Sequence, residues 1–391
     1  MMPKQPAKPN LELPAKELSG IYQRIREILE SARTGVARTV NTTQVMANWL
    51  IGREIVEGEQ QGKLRADYGK RLVAGLSKRL RTDFGSGYSI QNLFYMKQFY
   101  RTYPVLMGPD LFHAPRGKSR ALLPSSKAPR SESDLLKISN ALRSESGEWQ
   151  PGRLNPNLSW THYRTLMRVD RPDVRAFYEI EAVRQNWSAR ELERQINSLL
   201  FERLAKSKNQ AGLMKLATKG QEIATPADVF KDPVVIEFLG LPESNRLVES
   251  DLEQALINNL QAFLLELGKG FAFVARQERI TLEGDHFYVD LVFYHTVLKC
   301  HVLIDLKVGK LTHGDLGQMQ LYANYFDQER RTHGDNPTLG LILCTDKNDA
   351  VVKYLFGPEQ SKKIFTSRYQ LHLPSEAELA AELKRELKEL R

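Results

Sequence analysis

The apolar positions of this chain follow two different periods. In the first half they recur every three to four residues, the spacing of one helix face. Between residues 271 and 307 they alternate with polar ones, the spacing of a strand. Leu18, Ile21, Ile25 and Ile28 mark a first helix. A longer helical region runs from Thr42 to Tyr103, with breaks near Gly62 and at Gly85-Ser86-Gly87. Tyr68, Leu72, Leu76 and Leu80 stripe its middle part. Ser89 reads as the N-cap of a helix carrying Leu93, Met96, Phe99 and Tyr100. Residues 106–157 are rich in proline, serine and basic side chains and lack a sustained apolar stripe, which reads as a flexible insert. Helical spacing resumes at Leu158. Ser188 and Glu191 form a capping box ahead of Leu192, Ile196 and Leu199.

Beyond a polar connector at 205–225 the pattern changes. Ser250 is expected to open a single helix with Leu252, Leu256, Leu260, Phe263 and Leu267 inward, stopped by Gly268 and Gly270. An apolar run follows from Phe271 to Leu282, then the turn Glu283-Gly284-Asp285. Phe287, Val289, Leu291 and Phe293 alternate, and so do Cys300, Val302, Ile304 and Leu306. Thr312 to Phe326 reads as a further helix. Ser375 and Glu378 would cap a last one with Leu379, Leu383, Leu387 and Leu390 on one face, suited to docking on the body or pairing with a second subunit. The expected organisation is a disordered tail at 1–15, helices at 16–105, the insert at 106–157, a helical continuation and connector at 158–225, a domain at 226–374 and a terminal helix at 375–391. The fold class is α+β.

A hydrophobic fraction of 41% and a charged fraction of 26% exclude a wholly disordered chain. No apolar stretch is long enough for a membrane helix, and the N-terminus has no signal-like run. Cys300 and Cys344 make neither a disulfide framework nor a zinc site, so a reducing, cytoplasmic setting is expected. Charge is unevenly placed. Residues 1–200 carry 32 Lys and Arg against 20 Asp and Glu, while residues 201–391 carry 24 against 27. The positive half suits a polyanion such as a nucleic acid. The overall partner expectation is DNA ahead of RNA, a preference that charge itself does not set. Its two helices around Gly85–Gly87 have helix-turn-helix form, with Lys78, Arg79, Arg81, Gln91, Asn92 and Lys97 as candidate contacts to phosphates or base edges.

The second half carries the chemistry. Asp305 and Lys307 point the same way from one strand, and Asp290 is a carboxylate set among apolar neighbours, costly unless it meets a cation or donors. If the strands pair, Asp290 and Asp305 share one divalent metal with the Leu306 carbonyl. Mg2+ is the expected ion, with Mn2+ as a substitute. Lys307 would then orient a water or stabilise charge on a phosphate. The alternative is a same-face ion pair with no catalytic role. Gln318 and Tyr322 lie four apart on the following helix, close to the same cleft. Glu278 is expected to pair with Arg276 or Arg279. His286, His295, His301 and His313 lack metal-ligand spacing, His313 and Asp315 lie near the cleft, and no phosphate-binding glycine loop for ATP is present.

Asp290, fourteen residues, Asp305-Leu306-Lys307 and then Gln318-Met319-Gln320-Leu321-Tyr322 together resemble the PD-(D/E)xK nuclease superfamily, with the Gln-x3-Tyr element of RecB-type nucleases. The phrases Phe263-Leu264-Leu265-Glu266-Leu267-Gly268-Lys269-Gly270-Phe271 and Tyr288-Val289-Asp290-Leu291-Val292-Phe293-Tyr294-His295 are similar to the YhcG family of bacterial nucleases. Leu158-Ser159-Trp160-Thr161-His162-Tyr163 and Trp187-Ser188-Ala189-Arg190-Glu191-Leu192 resemble that family's helical N-terminal domain. The likeness covers about residues 40–105 and 155–370. It implies a restriction-endonuclease-like α/β/α domain with a mixed sheet. It also implies a metal-dependent nuclease in which Asp290, Asp305 and Lys307 bind metal and activate water, and in which Gln318 and Tyr322 contact the phosphate or hold the lysine. Glu253 matches the carboxylate of the first helix, although Ser250 and Glu253 also have capping-box spacing. Val289 stands where the superfamily label has proline, and the serine-rich insert has no counterpart in it. A nucleic-acid-binding or adaptor protein on a nuclease-like scaffold is the alternative function. A helical interaction module acting through the terminal leucine stripe is a third.

Overall fold

The computed structural model describes residues 15–33, 40–61, 66–106, 149–205, 210–241, 248–346, 352 and 362–374. The expected N-terminal tail up to residue 14, most of the insert and the terminal leucine-striped helix lie outside the described residues. The chain divides into two compact units, Met1–Leu192 and Glu193–Arg391. Among the described residues no helix is long and apolar enough to cross a membrane.

The first unit is helical: α1 (Ala15–Arg33), α2 (Val40–Gln61), α3 (Ala66–Phe84), α4 (Ile90–Thr102), α5 (Trp160–Leu166), α6 (Pro172–Arg184) and the start of α7 (Ala189–Asn197). The stripes foreseen from the spacing are its core, with Ile25, Ile28, Leu72, Leu76, Leu80, Leu93 and Phe99 buried. Ser89 caps α4 by accepting the Asn92 N–H at 3.2 Å. The Ser188 box closes with the Ser188 N–H donating to Glu191 at 2.6 Å. Helix α2 meets α4 so closely at Gly52 that a Cβ there would collide with the Met96 carbonyl oxygen. The two ends of the insert meet. Leu154 N–H donates to the Leu106 carbonyl at 2.9 Å and Arg153 donates to the Val105 carbonyl at 3.1 Å.

The second unit continues with α8 (Leu200–Ala205) and α9 (Gln210–Lys219), so the stretch at 205–225 holds a helix rather than being only a connector. It is followed by β1 (Val234–Val235), α10 (Glu249–Asn258), α11 (Leu260–Leu267), β2 (Phe271–Leu282), β3 (Asp285–His295), β4 (Cys300–Lys310), α12 (His313–Tyr325), β5 (Leu339–Asp346) and β6 (Ile364–Gln370). The sheet order is β1-β6-β5-β4-β3-β2. Strands β1, β6, β5 and β4 run parallel, while β3 and β2 are antiparallel, so the sheet is mixed. One apolar layer joins Leu252, Leu256, Phe263 and Leu267 to Leu291, Phe293, Val302, Ile304 and Leu306. The other joins Leu316, Met319 and Tyr322 of α12 to Val292, Leu303, Ile342 and Cys344. This is the α/β/α arrangement with a mixed sheet that the family resemblance implied.

Two details differ from the sequence reading. The expected helix from Ser250 to Leu267 breaks at Asn259, whose φ of −117° and ψ of 31° leave the helical region while its side chain donates to the Ala255 carbonyl at 3.0 Å. That helix begins at Glu249 behind Val248, so Ser250 is no N-cap and the Ser250–Glu253 box does not form. A buried network that no motif announces ties the unit together. Glu266, with no exposed surface, meets Arg203 at 2.5 Å and Arg194 at 3.2 Å and accepts the Val235 N–H at 3.0 Å. Burial alone would raise the Glu266 carboxyl, but Arg203, Lys231 and Arg194 bring it down to about 2.

Candidate active site

Strands β2 and β3 form a hairpin whose turn has Glu283 and Gly284 at φ 47° and 101°, the geometry of a two-residue turn that twists with its strands. Strand β3 pairs with β4 only from His295↔Cys300 to Leu291↔Ile304. Past that pair, β3 stays with β2 as far as Leu282↔Asp285, and β4 stays with β5 through Lys307↔Cys344. The sheet therefore forks after Leu291 and Ile304, and Asp290 and Asp305 are the first residues on either side of the opening.

The fork explains how Asp290 is held. The Leu306 N–H, left without a strand partner there, donates to Asp290 Oδ2 at 2.8 Å. The Gln277 amide donates to Asp290 Oδ1 at 3.1 Å and to Glu253 Oε2 at 2.6 Å, bridging the two carboxylates. Asp305 is 2% exposed and meets Lys307 Nζ at 3.1 Å. Lys307 Nζ also lies 3.8 Å from Glu249 Oε2, while Glu249 Oε1 accepts the Val308 N–H at 3.2 Å. Glu253 is buried on α10, with its Oε1 accepting no hydrogen bond among the described residues and facing the Arg276 guanidinium at 3.4 Å.

The electrostatics follow from burial and crowding. Burial, and then the nearby Asp290, push the Asp305 carboxyl up to about 7 against the pull of Lys307. Asp290 is raised by burial, with the Leu306 N–H, Lys307 and Gln277 opposing. Glu253 is also raised, by burial and, against its Gln277 hydrogen bond, by Asp290. Burial works to lower the Lys307 ammonium, but Asp305, Glu249 and Asp290 outweigh it and keep the pKa above its ordinary value. Among the described residues no three of Asp, Glu, His and Cys stand together as a finished metal cage. The donor set nevertheless fits a hard divalent cation. The buried Asp305 and the half-buried Asp290 are crowded together, the buried Glu253 Oε1 accepts no hydrogen bond among the described residues, and the side-chain donors of this cluster are carboxylate oxygens.

Tyr322 is fully buried, its hydroxyl donating to the Tyr288 carbonyl at 3.0 Å and accepting from the Gln318 amide. Both residues thus brace the β3 arm beside the fork. Burial raises the Tyr322 hydroxyl. Asp315 caps α12, its Oδ2 accepting from the Thr312 N–H and hydroxyl at 2.7 Å. Glu278 pairs with Arg330 at 2.8 Å, not with Arg276 or Arg279, which turn instead to Glu253 at 3.4 Å and to His286 at 2.7 Å.

In the first unit Lys78, Arg79, Arg81 and Gln91 are exposed, and Arg79 lies 5.5 Å from the Tyr22 ring centre. Gln91 donates to the Tyr95 hydroxyl at 3.3 Å. The Asn92 amide donates to the Gly87 carbonyl at 2.8 Å and Lys97 pairs with Glu59 at 2.6 Å, so these last two are engaged in the fold. Sequence reasoning missed Gln277 and Glu249. Glu249 sits one residue before the helix start drawn from Ser250. Gln277 stands in β2 at a φ of 48°, which no periodicity signals.

Comparison with known proteins matches residues 227–388 to the YhcG PDDEXK nuclease domain, and residues 24–110 and 135–203 to the DUF1016 N-terminal domain. The Escherichia coli (strain K12) protein named Putative nuclease YhcG is 36% identical over 365 residues, 93% of each chain. Among solved structures, a repair endonuclease from Pyrococcus abyssi aligns at 17% identity and the EndoMS–dsDNA2 complex at 12%. Each has a TM-score of 0.24, with 34% of this chain matched to half of the other.

Proposed function

The chain belongs to the YhcG family of PD-(D/E)xK nucleases, and from that premise we propose that it is a divalent-metal-dependent phosphodiesterase acting on DNA in the cytoplasm. The observation that carries this reading is the convergence of Asp290, Asp305 and Lys307 at one fork of the sheet, with Lys307 Nζ 3.1 Å from Asp305. Asp290, Asp305 and the Leu306 carbonyl would hold the ion, with Glu253 linked to them through Gln277. Mg2+ is the natural ion for this all-oxygen set, and Mn2+ would substitute. When bound, it supplies Lewis-acid charge at the scissile phosphate and lowers the pKa of the attacking water.

The chain's own groups do the rest. Lys307, kept protonated by Asp305 and Glu249, orients the water and meets the charge that develops on the phosphoryl oxygen. Tyr322 and Gln318 act as positioning residues through the Tyr288 carbonyl. The basic helical unit would engage phosphates through Lys78, Arg79, Arg81 and Gln91, with Asn92 and Lys97 holding local structure. Binding through phosphates weakens steeply with salt.

The test is cleavage of linear duplex, branched and single-stranded DNA and of RNA by wild type and Lys307→Ala, with Mg2+, Mn2+ or EDTA. Metal-dependent cutting that falls about 100-fold or more in the variant supports the reading. Equal binding without cutting by either protein would sink it and favour a scaffold that binds without hydrolysing.

A further inference from the structure

Beyond the fork, the hairpin arm carries a strip of side chains that the chemistry above does not use. Ile280, Phe287 and Val289 turn into the apolar layer under α12. The residues alternating with them, Arg279, Thr281, His286 and Tyr288, therefore occupy the opposite face, and all four are exposed. Arg279 stands directly across from Tyr288, and Thr281 across from His286. Gln277, two residues before Arg279 on the same strand, is the residue that touches Asp290 and Glu253. The strip thus starts at the carboxylates and runs out along the arm. Tyr288 is about 7 Å along the strand from Asp290, and His286 about 13 Å.

Its chemistry is specific. The Tyr288 side chain is 46% exposed, and its ring and hydroxyl make no hydrogen bond or ring contact among the described residues. Its backbone carbonyl, in contrast, is pinned by Tyr322 at 3.0 Å. An aromatic ring on an anchored backbone, open to solvent beside the carboxylates, has a free face on which a base can stack. The Arg279 guanidinium beside it lies 2.7 Å from His286 Nε2, and Thr281 Oγ1 lies 3.2 Å from His286 Nδ1, a row of groups suited to phosphate. Of the arm's acidic residues, Glu283 and Asp285 lie in and next to the turn at the far end, and Glu278 stands across from Val289 and is paired with Arg330 at 2.8 Å. A continuous duplex keeps its bases stacked on one another, whereas an unpaired base has a free face to offer.

We propose that this strip grips unpaired nucleotides adjoining the scissile phosphate, Tyr288 stacking on a base and Arg279 taking a phosphate, so that the substrate is a single strand or the unpaired flap of a branched DNA. The proposal rests on the nuclease reading and names its substrate class.

The experiment measures binding of fluorescein-labelled single-stranded, flapped and blunt duplex DNA by anisotropy in EDTA, for wild type, Tyr288→Ala, Tyr288→Phe and Arg279→Ala. A 2-aminopurine base in the single strand reports stacking. Tyr288→Ala should weaken single-strand and flap binding about tenfold, leave blunt duplex binding unchanged and abolish the 2-aminopurine quench, while Tyr288→Phe keeps all three at wild-type level. Arg279→Ala should weaken single-strand binding and flatten its salt dependence. Equal losses on duplex and single strand, or no change in Tyr288→Ala, would overturn the proposal. Parallel digestion with Mg2+ separates the two ideas: a wild type that cuts DNA while Tyr288→Ala binds normally refutes the strip alone, whereas a wild type that neither binds nor cuts refutes both.

Discussion

Glu179, on α6 of the helical unit, offers a prediction whose sign runs against the habit of carboxylates. It is 2% exposed and accepts the Gly152 N–H at 2.6 Å. Burial pushes its carboxyl from an ordinary 4.5 to about 7, with the Gly152 N–H, Tyr103 and Arg175 pulling it part of the way back. The folded unit therefore holds this proton more tightly than the unfolded chain does. Between pH 4.5 and 7 the unfolded state has released it and the folded state has not, so stability falls as pH rises through that window. The interval corresponds to about 3 kcal/mol at 1.36 kcal/mol per pH unit. Glu179→Gln keeps an acceptor for Gly152 and removes the charge. The variant should be within about 1 kcal/mol of wild type at pH 4 and more stable than it by up to about 3 kcal/mol at pH 8. Urea unfolding followed by tryptophan fluorescence is the assay, because Trp49, Trp149, Trp160 and Trp187 are the chain's only tryptophans and all lie in this unit. Other titrating groups are common to both proteins and cancel in the difference. A difference that stays flat from pH 4 to pH 8, or a variant that loses stability at pH 8, would refute the argument.

Three further outcomes are expected. Glu266→Ala should cost about 3–5 kcal/mol in chemical denaturation followed by far-UV circular dichroism, since it strands the fully buried Arg203 without its carboxylate; a loss under about 1 kcal/mol would show the network to be dispensable. Gly52→Ala should destabilise by about 3 kcal/mol despite alanine's better helix propensity, because the new methyl meets backbone of α4 that cannot swing aside, and an unchanged melting temperature would contradict that packing. Replacing residues 107–148 by a short Gly/Ser linker should leave tryptophan-detected stability within about 1 kcal/mol, as the flanking strands of chain are already tied at Leu106 and Leu154 and the family domain skips residues 111–134; loss of cooperative unfolding would assign the insert a structural role.

The sequence by itself determined what depends on neighbours a few residues apart. Apolar spacing located α1, α3 and α4, alternation located β3 and β4 and the faces of Asp305 and Lys307, and Glu283-Gly284 marked the hairpin turn. The long phrases around Phe263 and Tyr288 were enough to name the family. Local spacing could not show that Asn259 breaks the helix before Leu260, nor that Glu253 answers Gln277 rather than Ser250. Asn259 breaks the helix through a local bond to the Ala255 carbonyl that competes with helical spacing, whereas Glu253 and Gln277 are separated by chain and only the tertiary fold brings them to one place. The tertiary structure alone decided that β3 and β4 part after Leu291 and Ile304, and so that Asp290 is held by the Leu306 N–H that the ladder leaves unpaired. It also decided how far Asp305 is withdrawn from water. Desolvation depends on every layer packed around a group, and no pattern along the chain records that sum.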